Sequence, residues 1–174
     1  MKVILKNVRL SSPSLYHTEV YNGEDTGKYA CTLLLHKEND AAQIEALKKA
    51  AQDVLNEKYG IGKIPKGFKM PFVDGDEKEY DGYEGHISIK ASTKRRPTTI
   101  DKNKTPVVEE DGVFYAGCRV NASVSAWVMD NNYGKKVLFS LNGVQFNRHD
   151  APFGSDGDSS DDFDVIADDD DLLA

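Results

Sequence analysis

Residues 118–129 read CRVNASVSAWVM, and their strict alternation is the strongest indication of the fold class. The even positions carry cysteine, valine and alanine, whereas the odd positions carry Arg119, three small polar residues, Trp127 and a methionine. Successive side chains of a strand point to opposite faces, so this pattern predicts a strand with one buried and one exposed face. Residues 86–92 (HISIKAS) alternate in the same way, with His86, Ser88, Lys90 and Ser92 on the polar side.

Further strands are predicted at residues 2–10, 28–36 and 136–146, with a hairpin connection at residues 130–134. One helix is predicted from about residue 40 to residue 59, because Ile44, Leu47, Val54 and Leu55 recur at helical spacing. Asn39 or Asp40 offers an oxygen to cap its first turn, and Gly60 offers a left-handed stop. Residues 61–85 are rich in Gly, Pro, Lys and acids, which predicts a long irregular excursion.

About five strands, one helix and turns rich in Gly and Pro predict a mainly β domain, either a small antiparallel barrel or a sandwich. Periodicity alone does not distinguish the two. The 174 residues suit one domain, which we place at residues 1–150, followed by a flexible tail at residues 151–174.

The charge is divided unevenly between these two parts. The tail holds nine aspartates and no lysine or arginine, which leaves 20 acids and 22 bases in residues 1–150 of a chain whose net charge is −7. A mildly basic body with an acidic tail is typical of a nucleic-acid-binding core with an interaction tail, although a solubilising tail has the same composition.

Several protein classes are excluded by the sequence. No apolar run is long enough to span a membrane, and the first residues lack the apolar core and cleavage site of an export signal. Cys31 and Cys118 stand far apart, so neither a disulfide framework nor a cysteine-rich zinc site is expected, and a reducing cytoplasm is the expected compartment. The residues around Gly60 and Lys63 lack the spacing of a phosphate loop, and we predict no cofactor or metal.

The two alternating strands together predict one solvent-exposed face without acidic residues. Its small polar side chains leave room for a flat ligand, and an exposed Trp127 could stack on a nucleobase. The alternative is that this indole turns inward, as tryptophans usually do.

Next to that face lie five cations within residues 94–104, opposed only by Asp101. Such a cluster favours phosphates as ligands, although a solvated basic loop is the ordinary alternative. We therefore predict a surface that binds nucleic acid. The residues predicted to bind phosphates are Lys90, Lys94, Arg95, Arg96, Lys102, Lys104 and Arg119; those predicted to stack on bases are Trp127 and some of His86, Tyr83, Tyr133 and Tyr29.

The tail combines dense negative charge, which keeps a segment extended, with apolar residues that suit docking to a partner protein. It could also lie over the basic surface of its own body in place of DNA. The residues predicted to bind a partner are Phe163, Val165, Ile166, Asp168, Asp169, Asp170, Asp171, Leu172 and Leu173.

Four stretches, at residues 28–39, 85–101, 114–131 and 136–154, resemble bacteriophage single-stranded-DNA-binding proteins, a family long filed as a domain of unknown function. The blocks STKRRP and SLNGVQ are its most specific parts. The resemblance implies a five-stranded OB-fold barrel that coats single-stranded DNA during phage replication or recombination, in the cytoplasm of the bacterial host. Together with the predicted surface, it leads us to predict a non-catalytic binder of single-stranded DNA with little sequence preference. The acidic tail is similar in design to those of bacterial and T7-like phage proteins, which recruit replication proteins and regulate access to DNA. It departs from many of them by ending in Leu-Leu-Ala.

Two other functions stay open on the sequence alone. Acids at residues 74–81 could hold a divalent cation for a metal-dependent nuclease, although such a stretch is more often a solvated turn. An acidic adaptor that mimics DNA would carry the same tail. The sequence also leaves open whether the barrel works alone or as a homodimer.

Overall fold

Five long strands form the body of the protein, as seen in a computed structural model that describes residues 2–154 and 163–166. The elements of these residues are, in order, β1 (Lys2–Ser14), β2 (Val20–Tyr21), β3 (Glu24–Asp25), β4 (Tyr29–His36), α1 (Ala41–Tyr59), β5 (Val73–Asp74), β6 (His86–Thr93), β7 (Thr98–Ile100), β8 (Arg119–Asn131) and β9 (Gly134–Arg148). The predicted strands and helix are all present, and most strands extend a few residues beyond their predicted ends.

The sheet closes on itself. Its antiparallel neighbours run β6–β4–β1–β8–β9, and β6 returns to β9 through the parallel pairs Ala91–Phe139 and Ser92–Ser140. The result is a five-stranded barrel with one parallel contact, which is the OB-fold arrangement that the resemblance implied. Closure decides between the two folds that periodicity left open, because a sandwich would keep two separate sheets.

The barrel interior contains the even positions of β8, as the alternation predicts. Val120, Ala122, Val124 and Ala126 are at most 6% exposed, whereas Val128, beyond the barrel proper, is only partly buried. Helix α1 packs one apolar side against the same core through Ile44, Leu47, Ala50, Ala51, Val54 and Leu55.

The predicted cap of α1 is wrong in one respect. Asp40 is the residue before the helix, but its carboxylate makes no capping bond to the helix backbone. It accepts hydrogen bonds from the backbone N–H of His36 and the side chain of Gln43 instead, so it holds the end of β4 to the start of the helix.

Residues 73–85 lie across the outer side of β4 and β6. Beneath them Leu34 is 1% exposed and Ser88 is 6% exposed, although both side chains point away from the barrel core. Tyr83 is buried there as well, and its hydroxyl lies 2.9 Å from Ser11 Oγ. The expectation that Ser88 faces solvent is therefore wrong, because residues 73–85, which directly precede β6, fold back over it.

After β9 the chain stays in contact with the barrel as far as Gly154, four residues beyond the predicted end of the domain at residue 150. We call residues 150–154 the C-terminal strap. The Phe153 N–H donates to Ala116 O, and the Arg9 guanidinium lies 4.3 Å from the centre of the Phe153 ring. Gly117 makes room for the strap, since a Cβ there would lie 2.4 Å from Ala151 O.

In the described part of the chain, no helix has the length and apolar character needed to cross a membrane.

Candidate nucleic-acid interface

The single acid-free face predicted from β6 and β8 does not exist as one surface. In the closed barrel β9 separates these strands on one side, and β4 and β1 separate them on the other. The alternation of each strand is as predicted, but alternation does not say which strands are neighbours. The strands that continue the outer face of β8 are β1 and β9.

The outer side of β8 forms a polar surface with its true neighbours. Ser125 pairs with Lys2 of β1 and with Ser140 of β9, and Ser123 pairs with Ile4 and Gly143 in the next row. We call this surface the polar face; its outward side chains are Lys2, Ile4, Asn121, Ser123, Ser125, Trp127, Ser140, Asn142 and Gln145, and none of them is acidic.

Hydrogen bonds between side chains hold the polar face in place. Asn142 Nδ2 donates to Ser125 Oγ at 2.9 Å and to Ser123 Oγ at 3.2 Å. Asn121 Nδ2 donates to Gln145 Oε1 at 3.0 Å, across the β8–β9 pair. Because these side chains are already ordered, a ligand that binds here loses little side-chain entropy.

Trp127 lies at one end of the polar face with its indole turned outward. It is 40% exposed and stands opposite Leu138 of β9. The inward orientation that the sequence left open is therefore excluded. As the only tryptophan of the chain, it combines an apolar surface with access from solvent.

Residues 94–104, the basic segment, follow β6 and run along the edge of the polar face. Its strand β7 pairs in parallel with Gly143, Val144 and Gln145 of β9. All five cations are exposed, with Lys94, Arg95 and Arg96 before β7 and Lys102 and Lys104 after it. The guanidinium of Arg96 lies 4.9 Å from the centre of the Tyr16 ring.

The one acid within the basic segment is turned toward its own backbone. The Asp101 carboxylate accepts the backbone N–H groups of Asn103 and Thr105, at 2.8 and 2.9 Å. Gln145 Nε2 donates to the carbonyl oxygens of Asp101 and Lys102, which attaches this turn to β9. The turn therefore holds the cations beside the polar face.

Two predicted phosphate ligands are engaged elsewhere. Lys90 Nζ lies 2.7 Å from Glu19 Oε1, and Arg119 Nε donates to Asp150 Oδ2 at 2.8 Å. The hydrogen bond from Arg119 lowers the pKa of Asp150, as does the backbone N–H of Ala151. The surfaces around Lys90 and Arg119 are thus not free of acids, because distant segments bring a carboxylate to each.

The other predicted aromatic residues have different surroundings. Tyr133 is 90% exposed at the tip of the β8–β9 hairpin. Tyr29 is half-buried on the inward-facing side of β4, and Tyr83 is buried with its hydroxyl against Ser11. His86 packs edge-on against His36 with ring centres 5.2 Å apart.

Two carboxylates of residues 73–85, which we call the acidic excursion, contact the same lysine. Lys37 Nζ contacts Asp74 Oδ1 at 2.7 Å and Asp76 Oδ2 at 2.6 Å, and these hydrogen bonds lower the pKa of both carboxyls. Across residues 2–154 and 163–166, no group of three or more His, Cys, Asp or Glu side chains is placed to hold a metal ion. The ammonium group of Lys37 thus contacts the carboxylates of both Asp74 and Asp76.

The tail residues are described only in part. Phe163, Val165 and Ile166 are exposed, at 75%, 98% and 90%. Asp168, Asp169, Asp170, Asp171, Leu172 and Leu173 lie outside the described residues.

Comparison with known proteins agrees with the fold and places the chain in a family. The family model described as the ssDNA-binding protein of Enterobacter phage Enc34 matches residues 1–173. The chain belongs to this family. Across its whole length it is also 40% identical to the whole of protein p50 of Acyrthosiphon pisum secondary endosymbiont phage 1.

The Enc34 family includes solved structures with the same barrel. The single-stranded DNA-binding protein of bacteriophage Enc34 in complex with ssDNA aligns with a TM-score of 0.74 and 28% identity, over 88% of this chain and 89% of that chain. A structure of the Enc34 protein described without DNA aligns equally well, over 94% and 90%. The fold is also similar to gp2.5 of bacteriophage T7, with a TM-score of 0.57 and 14% identity over 95% and 98% of the two chains.

Proposed function

We propose that this protein binds single-stranded DNA without catalysis and with little sequence preference, along the polar face and the basic segment. One observation carries the location: the outward Trp127 and the exposed cations border the same acid-free surface. The Enc34 relative, described in complex with ssDNA, supports the function.

The position of residues 73–85 also favours the polar face as the DNA-binding surface. OB-fold proteins commonly bind oligonucleotides across their second and third strands, which are β4 and β6 here. Part of that surface, around Leu34 and Ser88, is buried against residues 73–85, whereas the outward side chains of β8 and β9 are partly or fully exposed. A polyanion therefore meets fewer carboxylates on the polar face.

The surroundings of most of the predicted residues suggest what each contributes to DNA binding. Lys94, Arg95, Arg96, Lys102 and Lys104 bind backbone phosphates, since all are exposed and adjacent. Trp127 stacks on a base, and Tyr133 adds a second stacking surface at the hairpin tip. Lys90 and Arg119 join the interface only by exchanging Glu19 and Asp150 for phosphates, and the enclosed Tyr83 takes no part.

The single tryptophan provides the test of this function. Titration of the full-length protein with oligo-dT should quench the fluorescence of Trp127, because a base stacks on the indole. With about five phosphates bound, log affinity should fall against log salt concentration with a slope of about −3.5, at about −0.7 per contact. Binding without any change in fluorescence would exclude Trp127 from the interface, and no binding would refute the function.

The acidic tail belongs to the same proposal. Its nine aspartates compete with DNA for the basic segment, and its apolar residues recruit replication or recombination proteins. The setting is phage DNA replication or recombination in the cytoplasm of a bacterial host. The interface is complete within one copy of the chain, so the proposal does not require a homodimer.

The two rival functions are not favoured. The family is one of DNA-binding proteins and the nearest candidate ligands for a metal, Asp74 and Asp76, are occupied by Lys37. A DNA mimic does not explain the exposed cations beside Trp127. Incubation of labelled single strands with magnesium or manganese checks the nuclease alternative, and the proposal expects the substrate to stay intact.

A further inference from the structure

A groove crosses the polar face between β1 and β7. In one row Ile4 pairs with Ser123, which pairs with Gly143, which pairs with Thr98. In the next row Asn121, Gln145 and Ile100 lie side by side. The groove has a volume of about 310 Å³, which is close to the lower limit for small-molecule sites.

The depth of the groove comes from small residues in its floor. Ser123 and Gly143 stand at its centre, where larger side chains would fill it. A Cβ on Gly143 would lie 3.1 Å from Thr98 Cβ and 3.1 Å from Thr98 O, so glycine lets β7 approach β9 closely. The small residues therefore leave the groove open at its centre, while β7 forms one side of it.

The two sides of the groove are apolar. Ile4, the third residue of β1, is 53% exposed. Ile100 stands half-buried on the opposite side, beyond Gln145. A flat ring that enters between them would bury apolar surface on both sides.

The floor offers both hydrogen-bond donors and acceptors. Asn142 Nδ2 donates to the oxygens of Ser123 and Ser125. Among the described residues, the Asn142 carbonyl oxygen and the two serine hydroxyl protons have no further partner. An amide oxygen beside hydroxyl groups suits the mixed donors and acceptors on the edge of a nucleobase.

Cations stand on both sides of the groove. Lys102 lies two residues after Ile100, and Lys2 and Lys6 flank Ile4 with both side chains exposed. No outward residue of the polar face is acidic, so the surroundings favour an anionic ligand such as a DNA backbone. A DNA strand that crosses the groove would find a cation for its backbone on either side.

We propose that this groove is a subsite for one unpaired base of the bound strand. The ring lies between Ile4 and Ile100, its polar edge faces Asn142 and Ser123, and the flanking phosphates contact Lys102 and Lys2. This inference rests on the proposed function and adds a second base contact, separate from the stacking at Trp127.

The test compares two labelled oligonucleotides of equal length, one of dT and one abasic with the same phosphates. Full-length Ile4→Ala should bind the dT oligonucleotide about five- to tenfold more weakly by fluorescence anisotropy, since a base loses one apolar side of its site. Its affinity for the abasic oligonucleotide should not change. Ile61→Ala is the matched control, because Ile61 is 85% exposed and lies outside the groove.

A second variant, Ser123→Leu, fills the floor of the groove. It should weaken binding of the dT oligonucleotide and leave binding of the abasic oligonucleotide unchanged. Circular dichroism establishes that each variant is folded, and because Ile4 is already largely exposed, its truncation removes little buried surface. If the folded variants lose affinity equally for both oligonucleotides, or lose none for either, the subsite is refuted but the proposed function is not. A wild-type protein that binds neither oligonucleotide would refute the proposed function.

Discussion

At the scale of single residues, the nearest acid decides which cations are available to a ligand. Lys90 and Arg119 belong to strands with regular polar faces, yet Glu19 and Asp150 reach them from distant segments. Arg95 is exposed in the turn before β7, and Arg96 stacks on Tyr16 while remaining exposed. Among the described residues, no acid forms an ion pair with the five cations of the basic segment.

Replacement of Arg95 and Arg96 by Ala should weaken binding to every sequence alike, because these residues contact phosphates and not bases. The slope of log affinity against log salt should change from about −3.5 to about −2.1, since two contacts of about −0.7 each are lost. The measurement is the fluorescence titration repeated at several salt concentrations.

The matched control is the double variant Lys48→Ala/Lys49→Ala, which removes two cations from α1, away from the polar face. It should leave the slope at the wild-type value. An unchanged slope in the Arg95/Arg96 variant would remove these residues from the interface.

At the scale of elements, the C-terminal strap fixes the point from which the tail leaves the barrel. Asp150 binds Arg119 and lies near Arg9, whose Nη2 also donates to Ala151 O at 2.6 Å. The Gly154 N–H donates to Asp81 Oδ2 at 2.9 Å. The last strapped residue is therefore held beside the acidic excursion and not beside the basic segment.

Gly117→Ala should destabilise the protein by about 2–3 kcal/mol, because the new Cβ meets Ala151 O and the residue has a φ of +110°. Gly67→Ala is the matched control, since its φ is +95° and no atom lies within 4 Å of its Cβ position. It should lose only about 1 kcal/mol from backbone strain. Denaturant unfolding measures both, and equal losses would mean that the strap contributes nothing at this position.

At the scale of the whole molecule, the tail and the body carry charge of opposite sign, −9 against a body with two more bases than acids. Attraction between them weakens with salt, because the Debye length falls from about 30 Å at 0.01 M to about 10 Å at 0.1 M. Competition between the tail and DNA should therefore be strongest at low salt.

Deletion of residues 155–174 should tighten DNA binding at low salt, with an effect that fades as salt rises, and should abolish recruitment of partner proteins. A variant in which Asp168, Asp169, Asp170 and Asp171 are changed to Asn keeps the length of the tail and should reproduce part of the effect. If the deletion leaves both affinity and recruitment unchanged, the tail serves only solubility.

The sequence by itself determined the elements and their inner faces. Alternation at residues 118–129 and 86–92 and helical spacing at residues 40–59 are local patterns, set by the period of each backbone form, and each was found where predicted. The charge difference between body and tail is likewise a property of composition. The resemblance supplied the barrel topology that periodicity left open.

Only the tertiary structure decided which faces are neighbours and which are covered. Barrel closure places β9 and not β6 beside β8, so Asn142, Gln145 and Ile4 join Trp127 while His86 does not. Tyr83 and Ser88 are buried where residues 73–85 pack against the sheet, and Glu19 and Asp150 reach cations far away in sequence. Pairing and coverage depend on contacts between distant segments, and the period of a single strand carries no information about them.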